Sequence, residues 1–211
     1  MPVNDHATAL YTAEQVRRID RAAIERLGVP GFELMRRAAA AAFALLRRRW
    51  PHARRLALLA GGGNNGGDAF LLGTLALQAG FAVDALALTA ASLGDAAQAR
   101  AAFVGAGGRV TPATSDTRLP LADVYVDGLF GSGLARAVDG VAAGLVEQLA
   151  ALRRPVLALD LPSGLDADRG IRLAATARAN ATLCFVGWKR GLFTADGPEC
   201  AGALELATLD L

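Results

Sequence analysis

Residues Leu56 to Leu72, LALLAGGGNNGGDAFLL, set the reading of the whole chain. An apolar run, Leu56 to Ala60, breaks into Gly61-Gly62-Gly63, passes through Asn64-Asn65-Gly66-Gly67-Asp68 and resumes as a second apolar run. This is the pattern of a buried strand, a tight loop and the first turn of a helix. Five glycines among seven residues leave backbone N–H groups open to close approach by an anion, and a helix start behind them adds partial positive charge. Phosphate-bearing ligands suit such a loop. A glycine turn that only lets a helix pack closely would read the same way.

Outward from this stretch, strands alternate with helices. Thr12 and Gln15 have capping-box spacing ahead of a helix in which Val16, Ile19, Ala23 and Ile24 recur at helical intervals, with Gly28 as its stop. A second, alanine-rich helix follows Pro30-Gly31. Beyond the glycine loop, a helix through about Gln78, a strand over Phe81–Leu88, a helix over 92–106 and a short strand over Arg109–Ala113 are expected. Asp123–Gly131 reads as a strand running into the glycine turn Gly131-Ser132-Gly133, about Val138 to Leu152 as a helix, and Pro155–Leu161, Ala181–Trp188 and Ala203–Leu209 as three more strands. This order predicts βαβ units: an α/β fold with a mostly parallel central sheet covered on both faces and two leading N-terminal helices. Residues 1–211 are expected to form a single domain, with residues 1–10 flexible.

Composition narrows the function classes. Hydrophobic residues make up 53% of the 211, charged residues 20%, and the formal net charge is +2. No apolar run reaches the length of about 18 residues that a membrane span requires, and residues 1–10 lack a signal-peptide layout, so the cytoplasm is the expected address. Cys184 and Cys200 suggest neither a disulfide framework nor a metal cluster. Arg47-Arg48-Arg49 and Arg54-Arg55 fit cations at a helix end better than a nucleic-acid patch, so no nucleic-acid or membrane partner is expected.

Three strand ends finish in polar-plus-glycine clusters: Asn64 to Asp68, Asp127 to Gly133, and Asp160 to Gly164. In an open parallel sheet these meet at one edge, where ligands bind. Lys189, after an apolar strand, is a fourth candidate. Gly61, Gly63 and Gly66 satisfy G-x-G-x-x-G, yet Asp84 falls inside a strand and not at its end, and no Lys-Ser/Thr follows Gly66. Ordinary dehydrogenase and Walker-type loops are therefore disfavoured. Asp127 and Asp160 recur at equivalent places and suit acid, base or cation-binding work; turn capping is the plainer alternative.

With these residues assembled, the chain resembles the NAD(P)HX epimerase family, also called the YjeF N-terminal domain. The matching stretches are AGGGNNGGDAF (60–70), VDGLFGSGL (126–134), LALDLPSGLDADRG (157–170) and WKRGL (188–192), preceded by YTAEQVRRID and GFELM. The resemblance covers residues 11 to 211. It implies a Rossmann-like three-layer αβα sandwich that interconverts the R and S forms of hydrated NADH or NADPH (NADHX, NADPHX). A separate or fused dehydratase would then restore the cofactor. By the same resemblance, Asn64, Asn65, Gly66, Gly67 and Asp68 bind substrate. So do Gly131, Ser132, Gly133, Leu134, Ala135, Arg136 and Ala137, together with Asp160. Asn65, Asp127 and Ser163 match potassium ligands, one K+ per subunit, and a homodimer is implied. Departures are Gly62 for a common proline, Ala69 for a glycine, Arg36 for a glutamate and Ala39 for a glycine.

The chemistry fits these residue types. Protonating the hydroxyl beside the ring nitrogen lets it leave, and water returning to the other face of the planar cation inverts the centre. That needs a proton donor, an acceptor and negative charge. Asp127 or Asp160 is expected to move the proton, with Asp160 favoured if potassium keeps Asp127 ionised, and Lys189 to position the substrate. The alternatives are a non-catalytic scaffold or nucleotide-binding module on the same fold and a nicotinamide-dependent oxidoreductase. Intact strand-end acids argue against the first, and the missing ribose-binding acid against the second.

Overall fold

In the computed structural model, which describes residues 9–90 and 92–211, the chain opens with β1 (Leu10–Tyr11), α1 (Ala13–Glu25) and α2 (Gly31–Arg49). The capping box forms as read: Gln15 N donates to Thr12 Oγ1 at 3.1 Å and Thr12 N to Gln15 Oε1 at 2.8 Å. Next come β2 (Arg55–Ala60), α3 (Asn64–Gln78), β3 (Ala82–Ala87), α4 (Gly94–Gly105) and β4 (Arg109–Pro112). The second half runs β5 (Val124–Gly128), α5 (Gly140–Ala151), β6 (Val156–Leu159), β7 (Ala181–Phe185), β8 (Trp188–Lys189), α6 (Gly197–Ala201) and β9 (Ala203–Ala207). Of residues 1–10, for which flexibility was expected, 1–8 lie outside the described residues, while Leu10 pairs with Trp188.

Seven strands form one sheet in the order β4-β3-β2-β5-β6-β7-β9, every pairing parallel. Alternation along β2 feeds both faces. Leu56, Leu58 and Ala60 join α2, α3 and α4 in one core, whereas Ala57 and Leu59 pack with Tyr125 and with Leu145, Val146 and Leu149 of α5 in another. Helices on both faces explain why the strands read as nearly continuous apolar runs. This is the expected three-layer αβα sandwich. The chain builds outward from β2 through β3 to β4, then returns to place β5 on the other side of β2. That reversal puts the topological switch point, the usual ligand crevice of such sheets, at the carboxyl ends of β2 and β5.

Two local expectations change. The Asn64–Asp68 stretch is not loop but the first turns of α3, with Gly63 as N-cap. The expected strand Ala181–Trp188 breaks after Phe185: Val186 takes φ +67°, and Trp188–Lys189 turns away to pair with Leu10–Tyr11. A β-branched residue at positive φ is costly, and here it turns the chain so that Lys189 faces the switch point.

Candidate active site

A cavity of about 600 Å³ opens at the switch point. Its walls come from α1 (Val16, Arg17, Asp20, Ile24), from the start of α3 (Asn64, Asn65, Asp68) and from the turn after β5 (Leu129 to Leu134, and Arg136). Asp160 follows β6, and Lys189 ends β8.

Asp160 and Lys189 form a buried ion pair in direct contact. Lys189 Nζ also donates to Phe185 O at 2.7 Å, and Ser132 N donates to Asp160 Oδ2 at 2.8 Å. Burial works against charge on both groups. The ammonium and the Ser132 N–H overcome it and hold the Asp160 carboxyl below its ordinary range, while Asp160 in turn holds Lys189 above its own. Asp160 sits at φ +65°, a region that Asp and Asn tolerate better than other side chains. A Cβ on Gly131 would lie 2.8 Å from Asp160 Oδ2, so glycine there lets the turn close over the carboxylate.

Asp68 is the opposite case. Burial, reinforced by the nearby Asp160 and Asp20 carboxylates, pushes it well above the usual carboxylate range, and Lys189 offsets this only in part. Its side chain has no hydrogen-bond partner among the described residues. The cavity thus holds two acids pushed in opposite directions, Asp68 towards its protonated form and Asp160 towards its ionised one.

Asp127 and Ser163 do not line the cavity; they are buried in the layer beneath it. Ser163 Oγ donates to Asp127 Oδ1 at 2.5 Å and Ser163 N to Oδ2 at 2.8 Å, while Leu129 N lies 3.3 Å from Oδ1. Phe130 N donates in turn to Ser163 Oγ at 3.0 Å. Burial pushes the Asp127 carboxyl up to about 6 despite these bonds, and among the described residues no cationic side chain pairs with it. Asn65, one helical turn before Asp68, buries both amide atoms without a hydrogen-bond partner. An orphaned amide, a buried carboxylate and a hydroxyl are hard oxygen donors, and they fit a monovalent cation such as potassium.

The structure therefore brings Asn64, Asn65, Asp68, Gly131, Ser132, Gly133, Leu134, Arg136, Asp160 and Lys189 to one cavity. It leaves Ala135 and Ala137 off the wall, and it gives Gly66 and Gly67 a packing role. A Cβ on Gly66 would lie 2.0 Å from Gly61 O, and one on Gly67 would lie 2.6 Å from Met35 Sδ. Gly62 and Gly63 line the cavity just ahead of the uncapped first turn of α3. Sequence reasoning missed Asp20 and Arg17. An aspartate in the interior of a helix, four residues after the buried Val16, was the available signal for Asp20. The basic cluster is satisfied locally: Arg48 pairs with Glu205, and Arg47 and Arg49 lie over the rings of Phe43 and Trp50.

Known proteins agree with this architecture. A family model described as the YjeF-related protein N-terminus matches residues 31–191. The NAD(P)H-hydrate epimerase of Limosilactobacillus fermentum is 32% identical over 196 residues, which cover 93% of this chain and 94% of that protein. The bifunctional NAD(P)H-hydrate repair enzyme Nnr of Escherichia coli K12 is 36% identical over 212 residues; the match takes in 100% of this chain but 41% of that enzyme. The crystal structure of yeast ynu0 superposes with a TM-score of 0.78 at 17% identity, covering 87% of this chain and 82% of that one, a likeness of fold. Matched in fold and along nearly its whole length, the chain belongs to the YjeF-related N-terminal family.

Proposed function

We propose that this chain is an NAD(P)H-hydrate epimerase that interconverts the R and S forms of hydrated NADH and NADPH. The observation that carries this reading is the pair of carboxyls in one cavity whose surroundings push them in opposite directions, Asp68 towards its protonated form and Asp160 towards its ionised one. Environments that push two acids apart in this way define acid–base roles. Asp68 gives its proton to the hydroxyl beside the ring nitrogen, the C–O bond breaks, and water departs. The ring is left as a planar cation, which the Asp160 carboxylate steadies. Lys189 holds Asp160 in place and does not itself reach for a proton. The uncapped start of α3, with Gly62 and Gly63 bare before it, suits the diphosphate of a dinucleotide.

Asn65, Asp127 and Ser163 would hold a potassium ion beneath the cavity. When bound, it supplies a fixed positive charge that keeps Asp127 ionised. Asp127 then works through the turn it braces, from Leu129 to Ser132, and not on the substrate. The same reading has the chain act in the cytoplasm as a homodimer, with a dehydratase consuming the S form.

A chromatographic time course on purified R-NADHX tests the proposal. The expected result is enzyme-dependent appearance of the S form and, in Asp68→Asn, a kcat lower by about 100-fold or more with the fold intact. Asp160→Asn is a harsher variant, because it strands the buried Lys189 charge and should lower the melting temperature as well. Folded wild-type protein that does no better than the spontaneous rate would sink the proposal and favour the scaffold alternative.

A further inference from the structure

Inversion through a planar cation needs proton handling at two places: a donor where the hydroxyl leaves and an acceptor where water returns. Asp68 and Asp160 both belong to the sheet edge, at the start of α3 and the end of β6. A third carboxylate lines the same cavity from a separate element. Asp20 lies on α1, on the face that also gives Val16, Arg17 and Ile24 to the wall.

Asp20 has no structural task that explains it. It is in the interior of α1, where aspartate is one of the weaker helix formers, and it is neither the N-cap nor a first-turn residue. Its neighbours on the helix are committed elsewhere: Arg17, Arg18 and Arg21 all pair with Glu14, and Arg17 also reaches Ser132 O. Among the described residues the Asp20 carboxylate accepts no hydrogen bond and makes no ion pair, although it is partly buried. An acid kept in a cavity wall at a cost to helix and solvation, without a partner, is the signature of a functional group.

We propose that Asp20 is a second catalytic carboxylate of the epimerase, the one that takes the proton from the water adding to the ring. In one direction, Asp68 protonates the departing hydroxyl and becomes a carboxylate, and the C–O electron pair leaves with water. Water then forms the new C–O bond on the other face and loses its proton to Asp20. One proton has moved from Asp68 to Asp20, and exchange with water in the cavity that both residues line returns it before the next turnover, so no other reactant is needed. Charged and titratable groups around the pair are consistent with a proton moving between them. Asp20 feels the Lys189 ammonium and the Asp160 carboxylate, Asp68 feels both of these and Asp20, and Arg17, Arg136 and Asp95 complete the charged wall. Burial raises Asp20 above its ordinary value, so it is a better proton acceptor than an exposed aspartate.

This inference rests on the epimerase reading, and the test separates the two. R-to-S turnover is measured for the wild-type protein and for Asp20→Asn, with melting temperatures alongside. The expected variant has a kcat lower by about 100-fold or more and a KM within about threefold. Its melting temperature is unchanged or higher, since an unpartnered acid has been replaced. A merely structural residue would lower the melting temperature and spare the rate. An active wild type with Asp20→Asn within about threefold of it in kcat overturns the role of Asp20 alone, whereas an inactive wild type overturns the epimerase reading first. Should Asp20→Asn not fold, Asp20→Ala is assayed with and without formate. Rescue of about tenfold or more supports an acceptor at this position, and no rescue contradicts it.

Discussion

Asp68, Asp127 and Asp160 are all buried at one edge of the sheet, yet each meets a different electrostatic fate. Lys189 offsets the desolvation of Asp160, only hydrogen bonds offset that of Asp127, and nothing adequate offsets that of Asp68. The aspartates themselves were visible in the sequence, as was the place of Asp127 and Asp160 at strand ends. Their division of labour was not, because it depends on which cation or N–H group the fold brings near, and Lys189 reaches Asp160 only through the turn at Val186. Asp20 stayed hidden for a related reason: a helix position shows its meaning only when the cavity it faces is known. Asp127 carries a residue-scale prediction. Its folded-state proton affinity is raised from 3.8 to about 6, so the folded protein binds that proton more tightly than the unfolded chain. Stability from this group is therefore present in acid and lost as pH rises between those values, by roughly 3 kcal/mol at most. Thermal melts in potassium-free buffer should show this decline and lose it in Asp127→Asn. Potassium in place of choline at pH 7 should raise the melting temperature of the wild type but not of Asn65→Ala. An equal rise in both proteins contradicts the cation site.

At the scale of elements, the hydrophobic period located every strand of the main sheet to within a few residues, since buried parallel strands announce themselves as apolar runs. What it could not separate was a glycine that frees the backbone for a ligand from one that lets two elements touch. Gly63, in the cavity wall with open space around it, is of the first kind, and Gly66 and Gly67 are of the second. The distinction depends on what lies across the gap, namely Gly61 O, Met35 and Ala96, which come from loop, α2 and α4. Gly66→Ala should accordingly cost about 1–3 kcal/mol in chemical denaturation, because its methyl group would displace backbone and not a flexible side chain. Gly63→Ala, with nothing within 4 Å of the added carbon, should cost far less. Equal losses for the two would show that packing at the start of α3 has been misassigned. The two-residue pairing of β1 with β8 was too short to carry a sequence signal, although it ties the start of α1 to Lys189. Asp168 fastens the same helix from another side, its Oδ1 accepting the Ala13 N–H at 2.7 Å.

For the molecule as a whole, the fold supplies a rigid floor and a separately anchored cover. The floor is the switch point between β2 and β5, where strand-end acids converge; the cover is α1, held by Asp168, by the β1–β8 pairing and by Arg17 on Ser132 O. A reaction that only inverts one ring carbon needs little more than this: a slot that admits water, fixed charge and protons on call. The central claim is that the hydroxyl departs and solvent water returns. Epimerising R-NADHX in ¹⁸O-labelled water and weighing the S form at early times tests it directly. The account predicts enzyme-dependent S product carrying one solvent oxygen on the ring. S product that keeps its original oxygen, or no S product above the uncatalysed rate, would contradict it.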